Sequence, residues 1–144
     1  MSKKKRAAAI VGISGALLLA TAPAAWANWT SSINDGGAGF ESRRWADGSY
    51  SQLWWDNCSV SGSGAFYLNA DVQYYEDISF QPDDAYDEKR FSACFENWST
   101  PSMGEWHNLP NGDFYFTITG VSNKSGAAYA DVEHVTVDTT AADQ

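Results

Sequence analysis

The chain has 144 residues, 18 of them acidic and nine basic, for a formal charge of −9 at neutral pH. An acidic surface repels phosphate backbones and anionic lipid, which argues against nucleic acid and anionic membranes as partners. The length suits one domain, and an aromatic content of 15% supplies large side chains for a small core.

The first 27 residues read as a cleavable secretory signal peptide. Lys3, Lys4, Lys5 and Arg6 form a cationic block, an Ala-rich apolar run follows, and Ala25, Trp26 and Ala27 end it as an A-x-A site. The run is too short and too rich in Ala and Gly to span a bilayer comfortably, and its style resembles leaders of Gram-positive bacteria, actinobacteria especially. Cleavage would free a chain beginning at Asn28 and place it outside the cell. The charge would move from −9 to −13, because the four charges lost are all positive.

Residues 28–48 read as a flexible N-terminal arm. Ser31, Ser32, Asn34, Asp35, Gly36, Gly37 and Gly39 are turn and linker residues. Trp29, Ile33, Phe40 and Trp45 are apolar anchors within it, and Arg43 and Arg44 are a local positive spot. An extended arm of this kind can dock in a groove or add a strand to a partner. These six are therefore the expected partner-binding residues.

Residues 49–138 read as a β-sandwich domain. In residues 49–55, Leu53 and Trp55 share one face, and Asp47-Gly48 before them signals a turn. Residues 65–75 alternate most regularly, with Phe66, Leu68, Ala70, Val72 and Tyr74 on the predicted buried face. Residues 81–89 form a polar acidic loop, and Phe91, Ala93 and Phe95 alternate after it. Residues 98–110 lack periodicity and contain Pro101, Gly104 and Pro110, which predicts a long loop. Asn111-Gly112 signals a hairpin turn. A strand then carries Phe114, Phe116 and Ile118, and a β-branched strand over 129–137 returns beside it. Residues 139–144 read as a disordered tail. Short strands separated by turn residues, with no sustained helical period, predict a small antiparallel all-β sandwich or barrel-like Greek key. In an exported chain Cys58 and Cys94 are most simply one disulfide.

Catalytic spacing is absent from the sequence. No G-x-S-x-G occurs, and His107 and His134 stand apart from each other and from the cysteines. The expectation is a protein that is not an enzyme and needs no cofactor. Calcium is the one ion the sequence admits, through the clustered oxygens of Asp83, Asp84, Asp87 and Glu88, although their spacing is not that of an EF-hand.

Residues 72–81 carry a local resemblance. Tyr75 and Phe80, five positions apart, resemble the opening of a βγ-crystallin Greek-key motif, with Pro82 where that family has Gly. Asp56-Asn57-Cys58-Ser59-Val60-Ser61 begins like the family's calcium signature but has Val60 where Ser or Thr is expected. This resemblance implies a Greek-key fold and admits inhibition of a secreted hydrolase through residues 98–110. The layout of leader, loose arm and one-disulfide β-domain is similar to the adaptor subunit of the umbrella toxin particles secreted by Streptomyces. That likeness implies a secreted protein as partner. A glycan is the alternative partner, held on Trp54, Tyr67, Trp98 and Trp106. Amino-terminal sequencing of the protein recovered from culture medium should begin at Asn28. Medium protein that retains Met1 would contradict the leader.

Overall fold

The computed structural model describes residues 28–140, so the leader and residues 141–144 lie outside the described residues. Seven strands form one antiparallel sheet: β1 (Trp29–Gly36), β2 (Trp45–Gly62), β3 (Ala70–Asp77), β4 (Asp84–Ala85), β5 (Lys89–Phe91), β6 (Ser102–Val121) and β7 (Ala128–Asp138). The helical element among the described residues is one turn, α1 (Ala93–Glu96). The strand order is β1-β7-β2-β6-β3-β4, with β5 also paired to β3. The predicted antiparallel all-β fold with one disulfide is what the chain adopts. A single sheet curls around its own core.

Two long strands produce the curl. β2 has 18 residues and β6 has 20, far beyond the usual five or six, and they pair over most of the length of β2's first half. Their register shifts twice. Asp47 faces Gly112 and Ser49 faces Leu109, so Pro110 and Asn111 stand opposite Gly48 alone. Tyr50 then faces His107, leaving Asn108 as an extra residue. Such bulges bend and twist a strand, and Ser49 and Asn108 take the positive φ values of 60° and 56° that the bend requires. A bulge is also where a sheet tolerates a proline. The predicted loop over 98–110 holds for residues 98–101 and is corrected beyond them, as is the hairpin turn at Asn111-Gly112: residues 102–112 are parts of one bent strand. Gly104 is small because the Trp106 and Phe91 rings occupy the space a side chain would need, 2.8 and 3.0 Å from its would-be Cβ.

Curling brings distant aromatics together. Trp55, wholly buried, meets Phe91 at 4.9 Å and Phe116 at 5.9 Å between ring centres. Tyr74 stacks on Trp106 at 4.4 Å and on Phe114 at 5.4 Å. Such pairs contribute about 0.5–1.5 kcal/mol each beyond their area burial.

The expected flexible arm is also corrected. β1 pairs with β7 from Trp29↔Val137 to Gly36↔Ala130, and Ile33 is buried. Residues 39–42 return to β6 through Gly39 N–H to Ile118 O at 2.8 Å and Ser42 N–H to Phe116 O at 2.9 Å. Two apolar anchors, Ile33 and Trp45, give this segment enough burial to join the core despite its turn residues. The start of the expected tail is held as well, since Thr139 is buried and its N–H donates to Asn28 Oδ1 at 3.0 Å.

The alternation of Phe91, Ala93 and Phe95 does not make a strand. α1 interrupts it, and both Cys94 and Phe95 face inward. The Cys58–Cys94 disulfide joins α1 to β2 across 36 positions of sequence, with the Cα atoms 5.2 Å apart. Closing a loop of that size is worth roughly 4 kcal/mol in the chain-entropy model. Replacing both cysteines by serine should lower unfolding stability by about 2–5 kcal/mol in urea titrations; an unchanged midpoint would contradict this role.

Candidate functional site

Four of the six expected partner-binding residues come together. Trp29, Ile33, Phe40 and Arg43 line a groove of about 70 Å³ between β1 and the segment leading into β2. Arg43 lies over the Trp29 ring at 4.8 Å. The other two are committed elsewhere. Trp45 is in the core against Tyr74 and Phe116. Arg44 donates to Asp77 at 2.8 Å and to Glu41, and sits 4.0 Å over the Tyr115 ring.

The acidic loop does not assemble as a calcium site. Among the described residues no group of three or more His, Cys, Asp or Glu is placed to hold a metal. Asp83 accepts from Tyr115 Oη at 2.6 Å and from the Ile78 amide at 3.1 Å, and these bonds hold its carboxyl below the usual range. Glu88 accepts from Thr119 at 2.6 Å. Asp84 belongs to β4, and the Asp87 carbonyl accepts from Trp106 Nε1 at 2.8 Å. The loop's residues fasten it to β6, at separate points.

Both histidines are exposed. His107 lies 3.3 Å from Glu105, and its ring is 4.6 Å from that of Tyr50. Tyr50, Gln52 and His107 hydrogen-bond Glu105 and lower its pKa, Tyr50 most strongly. These residues are cross-strand neighbours on β2 and β6, an arrangement that stabilises sheets.

The tryptophans expected to form one platform are dispersed. Trp106 is buried, Trp54 is half-buried and donates to Gln52 at 3.3 Å, and Trp98 is 66% exposed.

What the sequence pattern missed is the loop ahead of β3. Phe66, Tyr67 and Leu68 are 84, 57 and 47% exposed. The predicted strand over 65–75 is corrected at its first half: β3 begins at Ala70, opposite Val121, where β6 ends. With no strand left to pair against, residues 66–68 project from the sheet, while Ala65 packs against the core. Their backbone is nevertheless held. Phe66 N–H donates to Gly64 O at 3.1 Å, Tyr67 N–H to Ser122 Oγ at 2.7 Å, and Ser122 N–H to Asn69 O at 2.9 Å. Phe80, fully exposed and at φ 63°, projects beyond the other end of β3. The sequence offered no cue, because Phe66 and Leu68 continue the alternation of a genuine strand.

Among the described residues one carboxyl is buried. Asp47 is 1% exposed and accepts from the Gly48 amide at 2.8 Å. Burial raises its pKa above the ordinary carboxylate value, and the hydrogen bond from the Gly48 amide only partly opposes that shift.

Comparison with protein-family models, curated proteins and solved structures finds no match for this chain. Among the described residues no helix is long and apolar enough to cross a membrane.

The raised Asp47 value has a consequence for stability. Above the unfolded pKa of about 3.9 the folded chain binds more protons than the unfolded chain, so stability falls as pH rises toward the folded value. Asp47→Asn should remove that loss and make the protein more stable than wild type at pH 7, with a smaller gain at pH 4. Thermal melts across this range check it; equal destabilisation at both pH values would contradict it.

Proposed function

We propose that this is a secreted, non-enzymatic protein-binding domain, an adaptor within an extracellular assembly. The observation that carries the reading is the run of exposed apolar side chains at Phe66, Tyr67 and Leu68. Isolated exposed apolar residues are ordinary, but three in succession have no structural reason at a solvated surface. Burying such side chains against a partner is worth about 1.5–3 kcal/mol each.

The loop's hydrogen bonds favour this use. A backbone already ordered loses less entropy on binding. Aromatic residues fixed in this way are typical anchors of an interface. Phe80 at the far end of β3 adds a second apolar point. With β3 spanning eight residues, the two ends are separated by about 25 Å at 3.3 Å per residue. Contacts at opposite ends of one rigid domain suit a protein that joins two others.

Export is supported by the leader-like sequence and the Cys58–Cys94 pair. A domain without catalytic spacing and with an anchored acidic loop fits binding better than chemistry.

The protein purified from culture medium under native conditions should elute with a stoichiometric partner. Phe66→Ser combined with Leu68→Ser should free it from that partner while leaving its melting temperature within a few degrees of wild type. A solitary wild-type monomer, or a complex indifferent to the double substitution, would overturn the proposal.

A further inference from the structure

We propose that the groove beneath Trp98 is a binding site for a neutral saccharide. It is separate from the Phe66 loop, and its test does not depend on the protein-binding reading.

The groove has a volume of about 260 Å³. Trp98 lines it together with Asn34, Asn57, Ser59, Asp131 and Glu133. The exposed indole offers a flat apolar face with a polar N–H. Around it stand two amides and a hydroxyl, which both donate and accept, and two carboxylates, which only accept.

That mixture selects among ligands. A sugar ring has a C–H face that covers an indole and a rim of hydroxyls that both donate and accept. A phosphate ester would meet Asp131 and Glu133 as like charges. A cationic ligand would use the carboxylates and the indole but leave the donors idle. A few polar groups converging on one apolar surface are the usual make-up of a small-molecule site.

The polar wall is fixed before any ligand arrives. Asn57 Nδ2 donates to Glu133 Oε2 at 2.8 Å, and Asp131 Oδ1 accepts from the Asp35 amide at 2.8 Å. Trp98 is held by its turn: Asn97 N–H bonds to Ala93 O at 2.9 Å, Ser99 N–H to Asn97 Oδ1 at 3.0 Å, and Thr100 N–H to Asn97 O at 2.9 Å. The disulfide couples the two sides. Cys94, in the helical turn just before Trp98, is bonded to Cys58, which stands between Asn57 and Ser59. The platform and the wall are therefore tied covalently within a few residues of each other.

The test uses the purified disulfide-bonded protein and a panel of soluble hexasaccharides: cello-, malto-, xylo-, manno- and N-acetylated chitohexaose. The hexamer of glucosamine serves as the cationic comparison. Two-dimensional NMR should show saturable shifts at the Trp98 indole N–H and the Asn57 amide with at least one neutral sugar. Trp98→Ala should weaken that binding at least about tenfold, which is about 1.4 kcal/mol. Asn57→Ala should also weaken it, and Phe66→Ser should leave it unchanged. Three results would overturn the proposal: no shift with any neutral hexamer at millimolar concentration, binding indifferent to Trp98→Ala, or binding of the glucosamine hexamer alone. Loss of a protein partner on Trp98→Ala without sugar binding would assign the groove to a protein and overturn it as well.

Discussion

The pairing of β2 with β6 is the constraint on which the rest of the molecule depends. β2 carries β7 on its other edge, β7 carries β1, and β6 carries β3 with its two short neighbours. The two register shifts in this pairing bend both strands. Without the bend, Trp55 could not meet Phe91 and Phe116 across the core, nor could residues 39–42 return to β6. Curvature here comes from two extra residues on β6, since Asn108, Pro110 and Asn111 are matched on β2 by Gly48 alone.

The ends of the strand pairings set what reaches the surface. β6 leaves the sheet at Val121, which ends β3's pairing at Ala70 and releases the apolar residues before it. The disulfide sets the other surface feature, since it draws the turn bearing Trp98 to the strand bearing Asn57. Both candidate surfaces are therefore by-products of core geometry: one lies where pairing runs out, the other where a covalent bond crosses. The net negative charge discourages contacts with anionic partners.

Local pattern was a good guide wherever a strand was regular and paired along its length. Leu53 and Trp55, the Phe114 to Ile118 face and the β-branched final strand were all legible, as was the cysteine pair. Pattern failed where tertiary pairing decided. Pro110 and Asn111-Gly112 are strong local turn signals, yet a bulge absorbs them because β2 runs alongside. The glycine- and serine-rich start of the domain looks unstructured, yet β7 offers it an edge and Ile33 and Trp45 supply burial. Conversely, Phe66 and Leu68 have the sequence of a strand and no partner to pair with. Of the six expected partner-binding residues, Trp29, Ile33, Phe40 and Arg43 line one groove, which their sequence, read as a flexible arm, did not foreshadow. The grouping of Trp98 with Asn57 and Glu133 was not, because residues so far apart in sequence meet only through the curl and the disulfide.

The curled sheet closes on its core and holds Phe66, Tyr67 and Leu68 outside it. Hydroxyl-radical footprinting of the isolated protein, read by mass spectrometry, tests it most directly. Heavy oxidation at Phe66, Tyr67 and Leu68, with Trp55 and Tyr74 protected, is the expected result. Protection of Phe66 and Leu68 alongside Val72 and Tyr74 would mean that the strand continues through residues 65–75 with its apolar face buried, and would contradict this placement.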